Sequence, residues 1–175
     1  MSENDHEPSI LKGVVVGLIA GLAESWTMNR FQDVWLAISS SADSKNNEKQ
    51  VRESGADAET EENATVKAAA AVSEKLFGHE LTAVGKRVAG TAVHYAVGAT
   101  AGIVYGIASE LSPKLTRGFG LPYGAAFWLV IDEGVVPSLG LSKAAGEYPL
   151  SIHAYALASH LVYGATAEGT RRLLR

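Results

Sequence analysis

The stretch VAGTAVHYAVGATAGIVYGIA, residues 88–108, decides the fold. It contains no Asp, Glu, Lys or Arg, and His94 is its only acidic or basic residue. About 20 residues of helix cross the hydrocarbon core of a bilayer, so the run predicts a membrane span over about 88–109. Gly98, Gly102 and Gly106 recur at every fourth residue and share one helix face, where small residues let a neighbouring backbone come close. Glycine costs about 1 kcal/mol against alanine inside an exposed helix, so three in register point to a packing surface.

Working outward, GVVVGLIAGLAESW at 13–26 repeats the spacing with Gly13, Gly17 and Gly21. Two further apolar runs follow the first long one, and the expected spans lie at about 9–29, 88–109, 118–141 and 150–170. The fold class expected is all-α: an integral membrane bundle of four transmembrane helices with glycine-rich helix contacts, forming a single membrane domain over 1–175. HYAVGATA at 94–101 is echoed by HLVYGATA at 160–167, which adds Gly164 to the packing residues. Spans two and four would run in the same direction and use the motif alike, so a two-fold repeat of helix pairs is expected. Asp132 and Glu133 sit within the third run, where an acid at mid-membrane costs about 2.5–3.5 kcal/mol on insertion scales. That span is expected to need its neighbours.

Residues 39–65, rich in Ser, Asn, Asp, Glu and Lys, have no periodic apolar face and are expected to form a polar, flexible loop. An amphipathic helix is expected over 66–87, with Val72, Leu76, Leu81 and Val84 on a broken apolar face. It either lies at the membrane surface or leads in solvent into the second span.

The chain has no cysteine, which excludes disulfides, thiolate metal sites and thiol enzymes. Its net charge of −4 and lack of a basic stripe argue against a nucleic-acid partner. The acidic start MSENDHEPSILK does not suit a signal peptide, and the first apolar run is expected to be retained. No GxSxG elbow, P-loop, GxGxxG or HExxH spacing occurs. A His₂–carboxylate metal site has enough residue types but no helix concentrates them, so no catalytic residue, metal or cofactor is expected.

At about 100° per residue, Glu24 continues the glycine face of the first span, and His94 heads that of the second. His153, His160, Gly164 and Glu168 share one side of the fourth. If successive spans are antiparallel, the ionisable residues fall in one half of the bilayer. An interior cluster of Glu24, His94, Asp132, Glu133 and His160 is expected, with His153 nearer its mouth. His94 is expected to meet Glu24, and His160 to meet Asp132 or Glu133. Such residues usually face the bundle interior and pair with one another. The cluster could be interhelical glue, a pH-responsive element or a proton- or ion-conducting path. A soluble α-helical interaction domain is the alternative to the membrane bundle.

The segments GVVVGLIAGLAESW, HYAVGATAGIVYGIASELSP, GLPYGAAFWLVIDEGVVPSLGLS and HLVYGATAEGTRRLL together resemble the YagU-like bacterial inner-membrane proteins, a domain of unknown function. The likeness covers roughly 10–35 and 88–172 and leaves out the polar loop. It implies a small multi-span protein of the bacterial inner membrane, with lipid as its surroundings, and a family whose best-known member is associated with acid resistance. It implies no catalytic residues. The loop SPKLTR and the tail RRLLR carry more basic charge than the loop around Lys143, which by the positive-inside rule places both termini in the cytoplasm. The glycine faces leave room for a homo-oligomer.

Overall fold

The structure is a computed structural model and describes residues 9–43, 64–75, 78 and 81–175. Among the described residues all regular structure is helical. Helix α1 is Ile10–Asp43, α2 covers 64–75, and α3 is Ala83–Leu111. A 3₁₀ turn at Pro113–Thr116 leads to α4, Leu121–Val130, which passes through a π turn at Ile131–Val135 into α5, Val136–Ser138. A second 3₁₀ turn, Ala145–Glu147, precedes α6, Leu150–Leu173.

Local chemistry sets these boundaries. Thr82 caps α3 by accepting the Gly85 N–H at 3.1 Å, which satisfies one of the first-turn donors. Gly118, Phe119 and Gly120 all have positive φ, at 76°, 56° and 77°, a left-handed turn that favours glycine at its two ends. Pro122 then fits the start of α4, where its missing N–H is not needed. Farther on, Pro137 has no N–H to offer the carbonyl four residues back, and its ring crowds that carbonyl. The helix widens just before it: the Val136 N–H reaches the carbonyl of Ile131, five residues back.

The helices meet backbone to backbone. A Cβ added to Gly17 would lie 2.3 Å from the Gly102 carbonyl oxygen, and one on Gly21 would lie 2.4 Å from that of Gly98. Gly13 faces Gly106 at 3.0 Å. Ascending numbers on α1 meet descending numbers on α3, so the two are antiparallel. A similar contact joins α4 and α6: a Cβ on Gly120 would lie 2.0 Å from the Gly164 oxygen, and one on Gly124 would lie 2.0 Å from the His160 oxygen. Between these pairs α1 packs on α6, where Trp35 and Tyr155 lie 5.7 Å apart.

Fully buried polar side chains and exposed apolar ones occur side by side. The largest fully buried side chains are Glu24, Glu168, Ser25, Ser109 and Ser159, whereas Leu11 is 75% and Trp26 58% exposed. The three serines bond to carbonyls of their own helices, at Gly21, Gly106 and Tyr155. Helices Ile10–Ser39 and Ala83–Leu111 are long and apolar enough to cross a bilayer.

Several expected boundaries move. Helix α1 continues well past residue 29, to Asp43, because Phe31, Val34, Trp35, Leu36 and Ile38 carry the helical pattern on. Residues 39–43 and 64–65 of the expected loop are helical, and 44–63 lie outside the described residues. The single helix expected over 66–87 is divided: α2 is helical to residue 75, Gly78 has φ 63°, and residues from Ala83 onward belong to α3. Within the run expected as one span over 118–141, residues 121–138 are helical without interruption, with the π turn in the middle.

Gly17→Ala should therefore force α1 and α3 apart and lower stability by about 1–3 kcal/mol. Gly169 lies within α6 with nothing within 4 Å of an added Cβ, so Gly169→Ala should be neutral or raise stability by up to about 1 kcal/mol. Thermal unfolding of the two purified variants checks both signs.

Candidate functional site

A cavity of about 370 Å³ opens between α1, α3, the π turn and α6. Helix α2 lies across one side, contributing Ala64, Thr65 and Ala68 to the wall. It is seated by Val66, whose Cγ2 would be 2.6 Å from a Cβ on Gly90, and by Lys67 Nζ, which donates to the Leu141 carbonyl at 3.2 Å. Most of the lining is apolar, but His94, Asp132, Glu133, His153 and His160 all border it.

Two histidine–acid pairs join the π turn to α6. His153 Nδ1 lies 2.6 Å from Glu133 Oε1, and His160 Nδ1 lies 3.5 Å from Asp132 Oδ2. The histidines are seven residues apart, two turns of one helix face and about 10 Å along the axis. His160 Nδ1 also bonds to the Ala156 carbonyl at 2.9 Å.

Hydrogen-bond accounting constrains the first pair. His153 Nε2 faces the Ala145 carbonyl at 3.0 Å, an oxygen that only accepts, so Nε2 carries hydrogen. Nδ1 then faces a carboxyl oxygen, and the contact needs one more proton, on Nδ1 or on Glu133.

His94 and Glu24 are arranged differently from expectation. His94 Nε2 points to the Ser25 carbonyl at 3.5 Å, one residue beyond Glu24, and does not pair with the Glu24 carboxyl. Glu24 is fully buried, does not border the cavity, and has the Tyr163 hydroxyl beside it, with the Tyr123 hydroxyl next to that of Tyr163. Neither carboxyl oxygen meets hydrogen-bond geometry with them. The two His-x-x-x-Gly motifs serve related ends: Gly98 packs on α1 and Gly164 on α4, while His94 and His160 both border the cavity.

A second polar centre, which sequence reasoning missed, lies toward the opposite end of the bundle. Fully buried Glu168 accepts from Tyr105 Oη at 2.8 Å, from Arg171 Nε and Nη2 at 2.6 and 2.7 Å, and from Arg172 Nε at 2.7 Å. Arg172 also stacks 4.8 Å over Phe119, bracing the left-handed turn, and Arg175 pairs with Glu110. The spacing of Glu168 to Arg171 and Arg172, three and four residues, was the available signal; nothing in the sequence singled out Tyr105. Tyrosines connect the two halves: Tyr105 stacks on Tyr123 at 4.4 Å, and Tyr123 lies 6.1 Å from Tyr163.

Fold and site together define a small all-helical bundle with polar groups turned inward around a cavity. Residues 64–169 match the family described as Protein of unknown function (DUF1440). These 106 residues (64 through 169) are more than half of the 175-residue chain, and the chain belongs to that family. The match begins at α2 and takes in the cavity's acids and histidines, whereas the resemblance drawn from the sequence also included residues 10–35. Comparison with curated proteins and with solved structures gave no match.

Glu168→Gln leaves Arg171, which is 7% exposed, without its charge partner, and should cost about 3–5 kcal/mol. Arg172, its side chain 54% exposed, should cost about 1 kcal/mol or less when replaced by Gln. Thermal unfolding in detergent should rank them in that order.

Proposed function

We propose that the chain is a four-span protein of the bacterial inner membrane, in which the two histidine–acid pairs clasp α6 to the π turn and form a pH-responsive fastening beside the cavity. The carrying observation is that neighbouring Asp132 and Glu133 each meet a different histidine of α6. Exposed apolar side chains around a polar interior support the bilayer as its surroundings. The α4–α5 segment and α6 serve as the third and fourth spans, their acids and histidines enclosed by neighbours. Lys114, Arg117, Arg171, Arg172 and Arg175 supply the basic residues of the end at which α3 stops and α6 stops, which favours a cytoplasmic position for that end and for both termini. Glycine contacts within α1–α3 and α4–α6 support a two-fold relation of helix pairs. On this reading a role in acid or other envelope stress follows from the clasp, in keeping with the YagU-like resemblance.

Each fastening joins an imidazole to a carboxyl group, two side chains whose hydrogen-bonding roles change with protonation. His153→Gln should lower stability by about 1–3 kcal/mol. Unfolding temperatures of the two proteins measure this; an unchanged temperature in the variant would remove the clasp. A conducting path through the same groups predicts instead a proton flux in proteoliposomes that disappears in His160→Leu. The clasp predicts no flux in either protein and a lower unfolding temperature for the variant.

A further inference from the structure

Glu24 is an interior acid that neither the clasp nor the Glu168 network uses. It is 0% exposed, both of its carboxyl oxygens lack a hydrogen-bond partner, and among the described residues no cationic side chain forms an ion pair with it. The Tyr123 hydroxyl, next to that of Tyr163, also lacks a hydrogen-bond partner. The Tyr163 hydroxyl makes one long bond, 3.4 Å, to the Gly98 carbonyl. A bare carboxylate here would be an uncompensated buried charge, which is strongly destabilising.

We propose that Glu24 is a proton-binding site whose proton exchanges through the cavity. One proton supplies what the carboxyl lacks. The Glu24 O–H donates to the Tyr163 oxygen, Tyr163 keeps donating to the Gly98 carbonyl, and the group is neutral. A hard metal ion would instead ask for about six oxygen ligands, more than one carboxyl, two phenols and a carbonyl already engaged by Tyr163 provide.

Exchange has one open side. Tyr163, Ser25 and His160 border the cavity, and the Tyr163 and His160 rings lie 6.1 Å apart. On the other side Tyr123 stacks on Tyr105, whose hydroxyl ends on Glu168. The two oxygens of Glu168 already accept four hydrogen bonds, which closes that route. The arrangement is a binding site facing one way and not a path through the bundle. It does not depend on the four-span arrangement, because protein encloses Glu24 whatever surrounds the helices.

Dicyclohexylcarbodiimide, which reacts with protonated carboxyls in apolar surroundings, tests this on the full chain in membranes or detergent, with adducts mapped by mass spectrometry. Expected is an adduct at Glu24 that forms at pH 7 at least about ten times faster than at exposed carboxylates of the same chain, since ordinary Asp and Glu are almost fully ionised there. It should be absent in Glu24→Gln and unaffected by exchanging choline for sodium. Glu24→Gln, a neutral isostere of the protonated acid, should fold and keep the wild-type unfolding temperature. Failure of Glu24 to label in folded protein, protection by sodium, or a marked loss of stability in Glu24→Gln would each overturn the proposal, the last by showing that a charged Glu24 is what the bundle needs.

Discussion

Backbone contact at glycine is the constraint from which the rest of the structure follows. Gly17 against Gly102 and Gly120 against Gly164 leave no room for even a methyl group. At that separation dispersion attraction acts between main chains and not only between side-chain tips. Once α1 and α3 touch this way, the residues at the edge of the seam are fixed: Ser25 lies over Gly98, His94 faces the Ser25 carbonyl, and Glu24 is shut inside. The contact of α4 with α6 likewise sets the register in which the π turn meets His153 and His160.

Close helices leave little interior volume, and what remains is given to polar groups. Each buried serine returns its hydroxyl to its own helix, and Glu168 is saturated by a tyrosine and two arginines. The histidine–acid pairs occupy the wall of the cavity. Large apolar side chains are left on the outside. In water that exterior would be a liability for aggregation; in hydrocarbon it is the appropriate solvent-facing surface, with the glycine seams providing the packing that a hydrophobic effect between helices cannot.

Helical class and the small-residue faces were legible in the sequence because period and composition carry them: Gly98, Gly102 and Gly106 line up on any helical wheel. Which glycine meets which partner was not, since that depends on the tertiary register. The π turn escaped notice because Asp132 to Val136 reads as a continuous helical run, although Pro137 held the reason for the widening. His160 Nδ1 and Asp132 Oδ2 lie 3.5 Å apart, and His94 turns to a carbonyl, which no side-chain pattern can signal. Nothing in the sequence singles out Tyr105, Tyr123 and Tyr163, and only their ring contacts reveal them as the link between the two polar centres. The end of the first segment moved because Phe31, Val34, Trp35, Leu36 and Ile38 continue the helical pattern past residue 29, as far as Asp43.

That lipid surrounds the bundle is the central proposal, and washing of membranes with alkaline carbonate tests it most directly. The account predicts that the chain stays in the membrane pellet and leaves it only with detergent. Full release into the carbonate supernatant would contradict it.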